Sequence, residues 1–155
     1  MKRTLLIFPA VLVMLSCGKS PLFEEFISLP ETWNSNHVVH FDVNVTDTAA
    51  NENVFISVRN TGQYEFSNLY LFVTANSPNG SSIRDTVEIV LADEHGKWLG
   101  KGAASVFTFY YPYKTNIRFP LRGIYTFDIE QAMWIKELKH IRDIGLRIEK
   151  SGEKS

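Results

Sequence analysis

The residue with the sharpest chemical potential is Cys17, the single cysteine of the chain. A short basic start, Lys2-Arg3, leads into an uncharged run from Leu5 to Leu15, and Ser16-Cys17-Gly18 follows. About eleven apolar residues fall short of the ~20 that a helix needs to cross a ~30 Å hydrocarbon core, so the run reads as an export signal, not a permanent span. A free thiol on an exported protein invites oxidation or stray pairing. Acylation gives this one a role instead, and the order of basic, apolar and small residues before it resembles a bacterial lipoprotein signal. We therefore read residues 1–16 as a lipoprotein signal peptide and Cys17 as the lipidation site, with the membrane as a partner reached through an N-terminal lipid. Gly18 stands where Asp would signal inner-membrane retention, which favours the outer membrane, with the leaflet undefined.

Other residue types offer less. His37 and His40 are three apart, a spacing that on a strand points them to opposite faces, and His95 and His140 stand alone, so the usual transition-metal sets are missing. Asp42, Asp47 and Asn51 are the least implausible oxygen ligands for Ca²⁺, but the expectation is no metal and no cofactor. Gly100-Lys101-Gly102 lacks the spacing of a phosphate loop and reads better as a tight bend or close backbone approach. No Gly-x-Ser-x-Gly elbow displays a nucleophile, and the carboxylate pairs Glu24-Glu25 and Asp93-Glu94 read as solvated charges near turns. No catalytic residue is expected. The aromatic content is the stronger anomaly. Trp33, Trp98, Trp134 and the run from Phe107 to Tyr113 supply much ring surface, most of it for a core. Rings that reach the surface stack on sugars or anchor proteins, and Trp98, Tyr110, Tyr111 and Tyr113 are the candidates for partner or glycan contact. Asp47-Thr48-Ala49 and Asp85-Thr86-Val87 match an Asp-Ser/Thr-apolar pattern of bacterial O-glycosylation, which makes Thr48 and Thr86 candidate acceptors.

These groups must be held by something, and composition narrows what. With 155 residues, 45% hydrophobic and 13% aromatic, the chain can bury enough surface to fold as one domain. Sixteen basic residues against 17 acidic ones leave a formal charge of -1, without the basic excess that a nucleic-acid partner requires.

The pattern along the chain is one of strands. Val39, Phe41, Val43 and Val45 alternate with His40, Asp42 and Asn44, and Val54, Ile56 and Val58 with Phe55, Ser57 and Arg59, both at period two. Asn60-Thr61-Gly62 predicts a hairpin to Tyr64, and the slip of apolar phase from Tyr64 and Phe66 to Leu69, Leu71 and Val73 predicts a bulge near Ser67-Asn68. Ser77-Pro78-Asn79-Gly80-Ser81 is a turn. Val87, Ile89 and Leu91 alternate up to Asp93-Glu94-His95-Gly96, which closes a hairpin to Trp98. Phe107, Phe109, Tyr111 and Tyr113 share a face opposite Thr108 and Tyr110, with Pro112 at an edge. Tyr125, Phe127 and Ile129 form a further strand, residues 130–141 predict a short helix on Ala132, Ile135 and Leu138, and Ile144, Leu146 and Ile148 alternate at the end. Seven or eight short strands with at most one short helix define an all-β fold, an antiparallel β-sandwich, with a closed barrel as the alternative. Residues 17–30, bounded by Gly18, Pro21 and Pro30, read as a lipidated tether that docks by its aromatics, 31–150 as the sandwich, and 151–155 as a flexible tail.

Taken together, Cys17; Trp33; Val58-Arg59-Asn60 with Tyr64 and Asn68-Leu69; Gly96-Lys97-Trp98-Leu99-Gly100-Lys101-Gly102; Gly123-Ile124-Tyr125 with Gln131-Ala132-Met133; and Asp143-Ile144-Gly145-Leu146-Arg147-Ile148-Glu149 resemble the GldH family of gliding motility lipoproteins from Bacteroidota. The resemblance covers nearly the whole chain. It implies a lipid-anchored cell-envelope protein associated with gliding motility, a process linked to type IX secretion, with envelope proteins of that machinery as partners and no enzyme activity. It transfers no catalytic residue. The alternative function is a carbohydrate-binding envelope module using exposed aromatics.

Overall fold

The computed structural model describes residues 21–103 and 105–152. Eleven strands occur among them: β1 (Phe23–Ser28), β2 (Thr32–Asn34), β3 (Val39–Val45), β4 (Glu52–Thr61), β5 (Asn68–Asn76), β6 (Ser82–Val90), β7 (Lys101–Ala103), β8 (Val106–Ile117), β9 (Gly123–Gln131), β10 (Glu137–Lys139) and β11 (Ile141–Lys150). Eight of these run six residues or longer, and β2, β7 and β10 have three each. One sheet has the order β1-β11-β4-β8-β7, a second β3-β9-β5-β6, and β10-β2 forms a small ribbon. Every pairing is antiparallel.

The alternation read from the sequence decides what lies between the two sheets. Val39, Phe41, Val43 and Val45 are buried while His40, Asp42 and Asn44 are exposed. From the facing sheet, Val54, Ile56, Val58, Ile144, Leu146 and Ile148 join the same core. Each such side chain removed from water contributes roughly 1.5–3 kcal/mol, and a one-residue slip in register would turn the whole row outward. The sandwich is therefore fixed by pairing and pattern together.

Four local expectations come out differently. The predicted helix over 130–141 is absent: β9 runs to Gln131, a bent segment follows, and β10 pairs with β2 so that Leu138 sits opposite Trp33. The Gln131 side chain braces the bent segment: its amide donates to the carbonyls of Ile135 and Lys136 at 3.0 and 3.2 Å and its oxygen takes the Met133 N–H at 2.8 Å. Residues Phe23–Ser28, read as part of the tether, form an edge strand on β11. The turn after Thr61 does not fold β4 onto β5; the chain crosses from one sheet to the other. The slip of apolar phase marks that crossover and not a bulge, since Tyr64 and Leu69 are both buried in the one core. The turn at Asp93–Gly96 does form, held by Asp93 Oδ1 on the N–H groups of His95 and Lys97, but its return is a single bridge from Ala92 to Trp98 before the chain crosses again to β7.

Gly102 lies in that return. A Cβ there would stand 2.0 Å from the carbonyl oxygen of Val106, so only glycine permits the tight β7–β8 approach. The sequence reading of Gly100-Lys101-Gly102 as a close backbone approach matches this geometry.

Candidate docking surface

The outer face of the five-stranded sheet is organised in rows that cross the strands. In register, Glu24, Arg147, Phe55 and Pro112 form one row; Phe26, Gly145, Ser57 and Tyr110 the next; and Ser28, Asp143, Arg59, Thr108 and Lys101 a third. The middle row puts its two smallest residues between two rings. Phe26 and Tyr110 meet edge-on with centroids 6.4 Å apart, while Gly145 and Ser57 lie buried beneath this face. A Cβ on Gly145 would meet the Phe26 ring at 2.8 Å, so any side chain here forces the ring or β1 to shift.

Arginines clamp the rings. The Arg59 guanidinium lies 3.7 Å from the Phe26 centroid, a cation–π distance. Arg147 donates to Glu149 Oε2 at 2.8 Å and to Glu24 Oε1 at 3.3 Å, and the Tyr110 hydroxyl donates to the same Glu24 oxygen at 3.3 Å. Partial burial, with the Glu24 carboxylate next, pushes the Tyr110 hydroxyl above its ordinary range, so it stays a proton donor at neutral pH. Between these groups and Lys101 and Leu99 lies a groove of about 540 Å³. Its floor combines Phe55 and Tyr110 with the stems and charges of Arg59 and Arg147. Such a surface can bind an amphipathic segment, with apolar floor for contact and fixed charges for register.

The structure separates the four predicted aromatic contacts. Tyr110 alone faces this groove, and is 40% exposed. Tyr111 and Tyr113 point to the other side of β8 and pack against the core. The Tyr113 hydroxyl crosses the sandwich to donate to Asp85 Oδ2 at 2.6 Å, and Lys114 reaches the same oxygen at 2.8 Å. Burial, then Asp85, pushes the Tyr113 hydroxyl well up, and Lys114, then Tyr113, pulls the Asp85 carboxyl down. Trp98 is half-buried between Tyr64 and Phe107, with centroids at 6.3 and 5.9 Å. Trp134, read mainly as core, is 99% exposed.

Of the remaining candidates, Thr86 is exposed on β6 and Thr48 is half-buried in the loop after β3. Asp42 Oδ1 binds His40, Asp47 Oδ1 takes the Ala49 N–H, and Asn51 Oδ1 accepts from Arg118 Nε, so these three oxygens serve separate local networks. Cys17 lies outside the described residues. Sequence reasoning missed Phe55, Arg59, Leu99, Lys101 and Arg147 as one surface. Alternation placed Arg59 and Arg147 on outward faces, but nothing local reveals that β11, β4 and β8 become neighbours.

The chain is thus an all-β sandwich with an amphipathic groove on one outer face. A protein-family profile described as GldH lipoprotein matches residues 21–148. A gliding motility lipoprotein GldH homolog of Christiangramia forsetii is 35% identical over 148 residues, 91% of each chain. The gliding motility lipoprotein GldH of Flavobacterium johnsoniae is 31% identical over 155 residues, 96% of each. This chain belongs to the GldH lipoprotein family. Among solved structures, one titled as infectious bursal disease virus, Gx strain, overlies 97% of this chain and 39% of its own at 12% identity and a TM-score of 0.30, a likeness that carries no argument.

Proposed function

We propose that this protein is a non-enzymatic docking component of the gliding-motility apparatus, acylated on Cys17 in the cell envelope, at the outer membrane, and acting alongside type IX secretion. Family membership supports the envelope and motility setting. The observation that carries the docking role is the groove over β4, β8 and β11. Arg147, Glu149 and Glu24 there are already paired with one another, which suits a preorganised contact surface better than proton transfer. Confinement by a lipid raises the effective concentration near membrane partners, so the groove needs only modest affinity. The dispersal of Trp98, Tyr111 and Tyr113 away from Tyr110 gives a glycan platform little support.

The test is genetic and biochemical together. Deletion of the gene in its native host should impair colony spreading and surface delivery of secreted proteins, and the wild-type gene should restore both. Cys17→Ser should move the protein to the soluble fraction and fail to restore them. Tyr110→Ala with Lys101→Ala should leave the protein folded and membrane-bound but reduce spreading. Normal spreading and secretion in the deletion strain would overturn the proposal.

A further inference from the structure

The strands give the sandwich two poles, and Pro21, the first described residue, stands at one of them. Pro21 precedes β1, and the same pole carries the end of β3, the start of β4, the β5–β6 turn, the end of β11 and the loop 118–122 between β8 and β9. That loop is firmly built. Phe119, 5% exposed, plugs the core and packs edge-on against Tyr125 at 4.9 Å, while the Tyr125 hydroxyl accepts the Leu121 N–H at 3.1 Å. Arg118 Nε donates to Asn51 Oδ1 at 2.9 Å, and Asn51 donates to Asn116 Oδ1 at 3.0 Å.

The fixed loop leaves Leu121 36% exposed and Leu22 49% exposed at this pole. Among the described residues at this pole, Arg118, Arg122 and Lys150 are exposed with them, against the exposed carboxylate of Asp47 and the buried one of Glu52. Apolar side chains among an excess of cations are the chemistry of a surface that meets anionic headgroups. Chain length supplies the second, independent argument, and it rests on the proposal that Cys17 carries the lipid. Only Gly18, Lys19 and Ser20 separate Cys17 from Pro21, and four residue steps span at most about 14 Å even fully extended. The pole therefore cannot stand far from the bilayer.

We infer that this pole seats on a phospholipid surface containing anionic lipid, with Leu22 and Leu121 at headgroup depth and Arg118, Arg122 and Lys150 against phosphates. The strands then rise from the membrane. β11, with ten residues at ~3.3 Å each, sets the opposite pole and Trp134 about 30 Å away.

Full-length lipidated protein tests this, because acylated Cys17 leaves any introduced cysteine as the sole reactive thiol. A polarity-sensitive fluorophore is placed at Leu121→Cys or at Trp134→Cys, in vesicles of phosphatidylcholine with or without phosphatidylglycerol, each doped with headgroup spin-labelled lipid. The label at 121 should be quenched, more so with phosphatidylglycerol, and the label at 134 should not. Neutralisation should lower the docked-to-undocked ratio about fivefold per basic side chain removed, read for Arg122→Gln and independently for Lys150→Gln in case one disturbs the fold. Equal quenching at both positions, or none at 121 while the protein floats with the vesicles, would overturn the seating. Failure to float, with an unacylated Cys17 by intact mass, would overturn the anchor and with it the chain-length argument, a distinct readout.

Discussion

The two outer faces of the sandwich are built from the same alternation and finish differently. On the four-stranded sheet, outward residues such as His40, Phe72, Thr74, Asp128 and Glu130 are all exposed or half-exposed. They form a polar lattice: His40 bonds Asp128 and Asp42, Asn76 bonds Thr126, and Arg84 bonds Thr74 and Glu130. On the five-stranded sheet, Gly145, Ser57 and Glu149 are buried on the outward side, because β1 adds Phe26 and Glu24 across the face and Arg59 and Arg147 close over them. One face is a solvated lattice and the other a second, shallow packing layer with a groove. The added strand β1, placed in sequence just after the proposed lipid, makes the difference.

Three measurements bear on that contrast. Gly145→Ala drives a Cβ into the Phe26 ring and toward the Glu25 carbonyl, and overpacking of this kind should cost about 1–3 kcal/mol in denaturant unfolding. Phe26→Ala should relieve much of that cost in the double variant. Thr86→Ala, exposed on the lattice face, should cost about 0.5 kcal/mol or less. Equal costs on the two faces would dissolve the distinction.

Arg147→Met strands Glu149, which is 7% exposed, and should cost about 2 kcal/mol, below the ~3–5 expected for a fully buried pair. The matching change Arg84→Met removes a more exposed partner of Glu130 and should cost under ~1 kcal/mol. A larger loss for Arg84 than for Arg147 would reverse the comparison.

The smallest effect is electrostatic. The hydrogen bond to Asp128, opposed by slight burial and aided by Asp42, raises the His40 pKa above 6.5. A raised folded-state value means the stabilisation is fully present below about pH 6.5 and is lost as pH climbs through the elevated midpoint. Proton-resolved NMR titration should show that midpoint fall in Asp128→Asn, and an unchanged midpoint would remove the lattice pairing from the account.

The sequence reveals what period two can reveal. The strands around Phe41, Ile56, Phe109, Phe127 and Leu146, the turn at Ser77–Ser81 and the tight passage at Gly102 are all legible, because each depends on neighbours a few residues away. β1 is not, because Phe23 and Ile27 face inward with Glu25 between them while Phe26 faces out beside Glu24, so its apolar residues show no clean alternation. Flanking prolines complete the disguise. The spacing of Ala132, Ile135 and Leu138 imitates a helix, and only the long-range pairing of Leu138 with Trp33 and the Gln131 amide reveal otherwise. The groove is a product of strand order, which links Glu24 with Arg147 and Arg59 with Lys101 by way of Thr108, across most of the chain. The aromatic run from Phe107 to Tyr113 shows the limit in one strand, for alternation itself sends Tyr110 one way and Tyr111 and Tyr113 the other.

The exposure of Trp134 has a practical consequence. Trp33 is buried and Trp98 half-buried, so the three indoles occupy graded environments within one molecule. Trp134 should dominate the red edge of the emission spectrum and be the most accessible to iodide, and Trp33 should dominate the blue edge. A binding partner that covers the Trp134 pole would announce itself as a spectral shift without any dye attached.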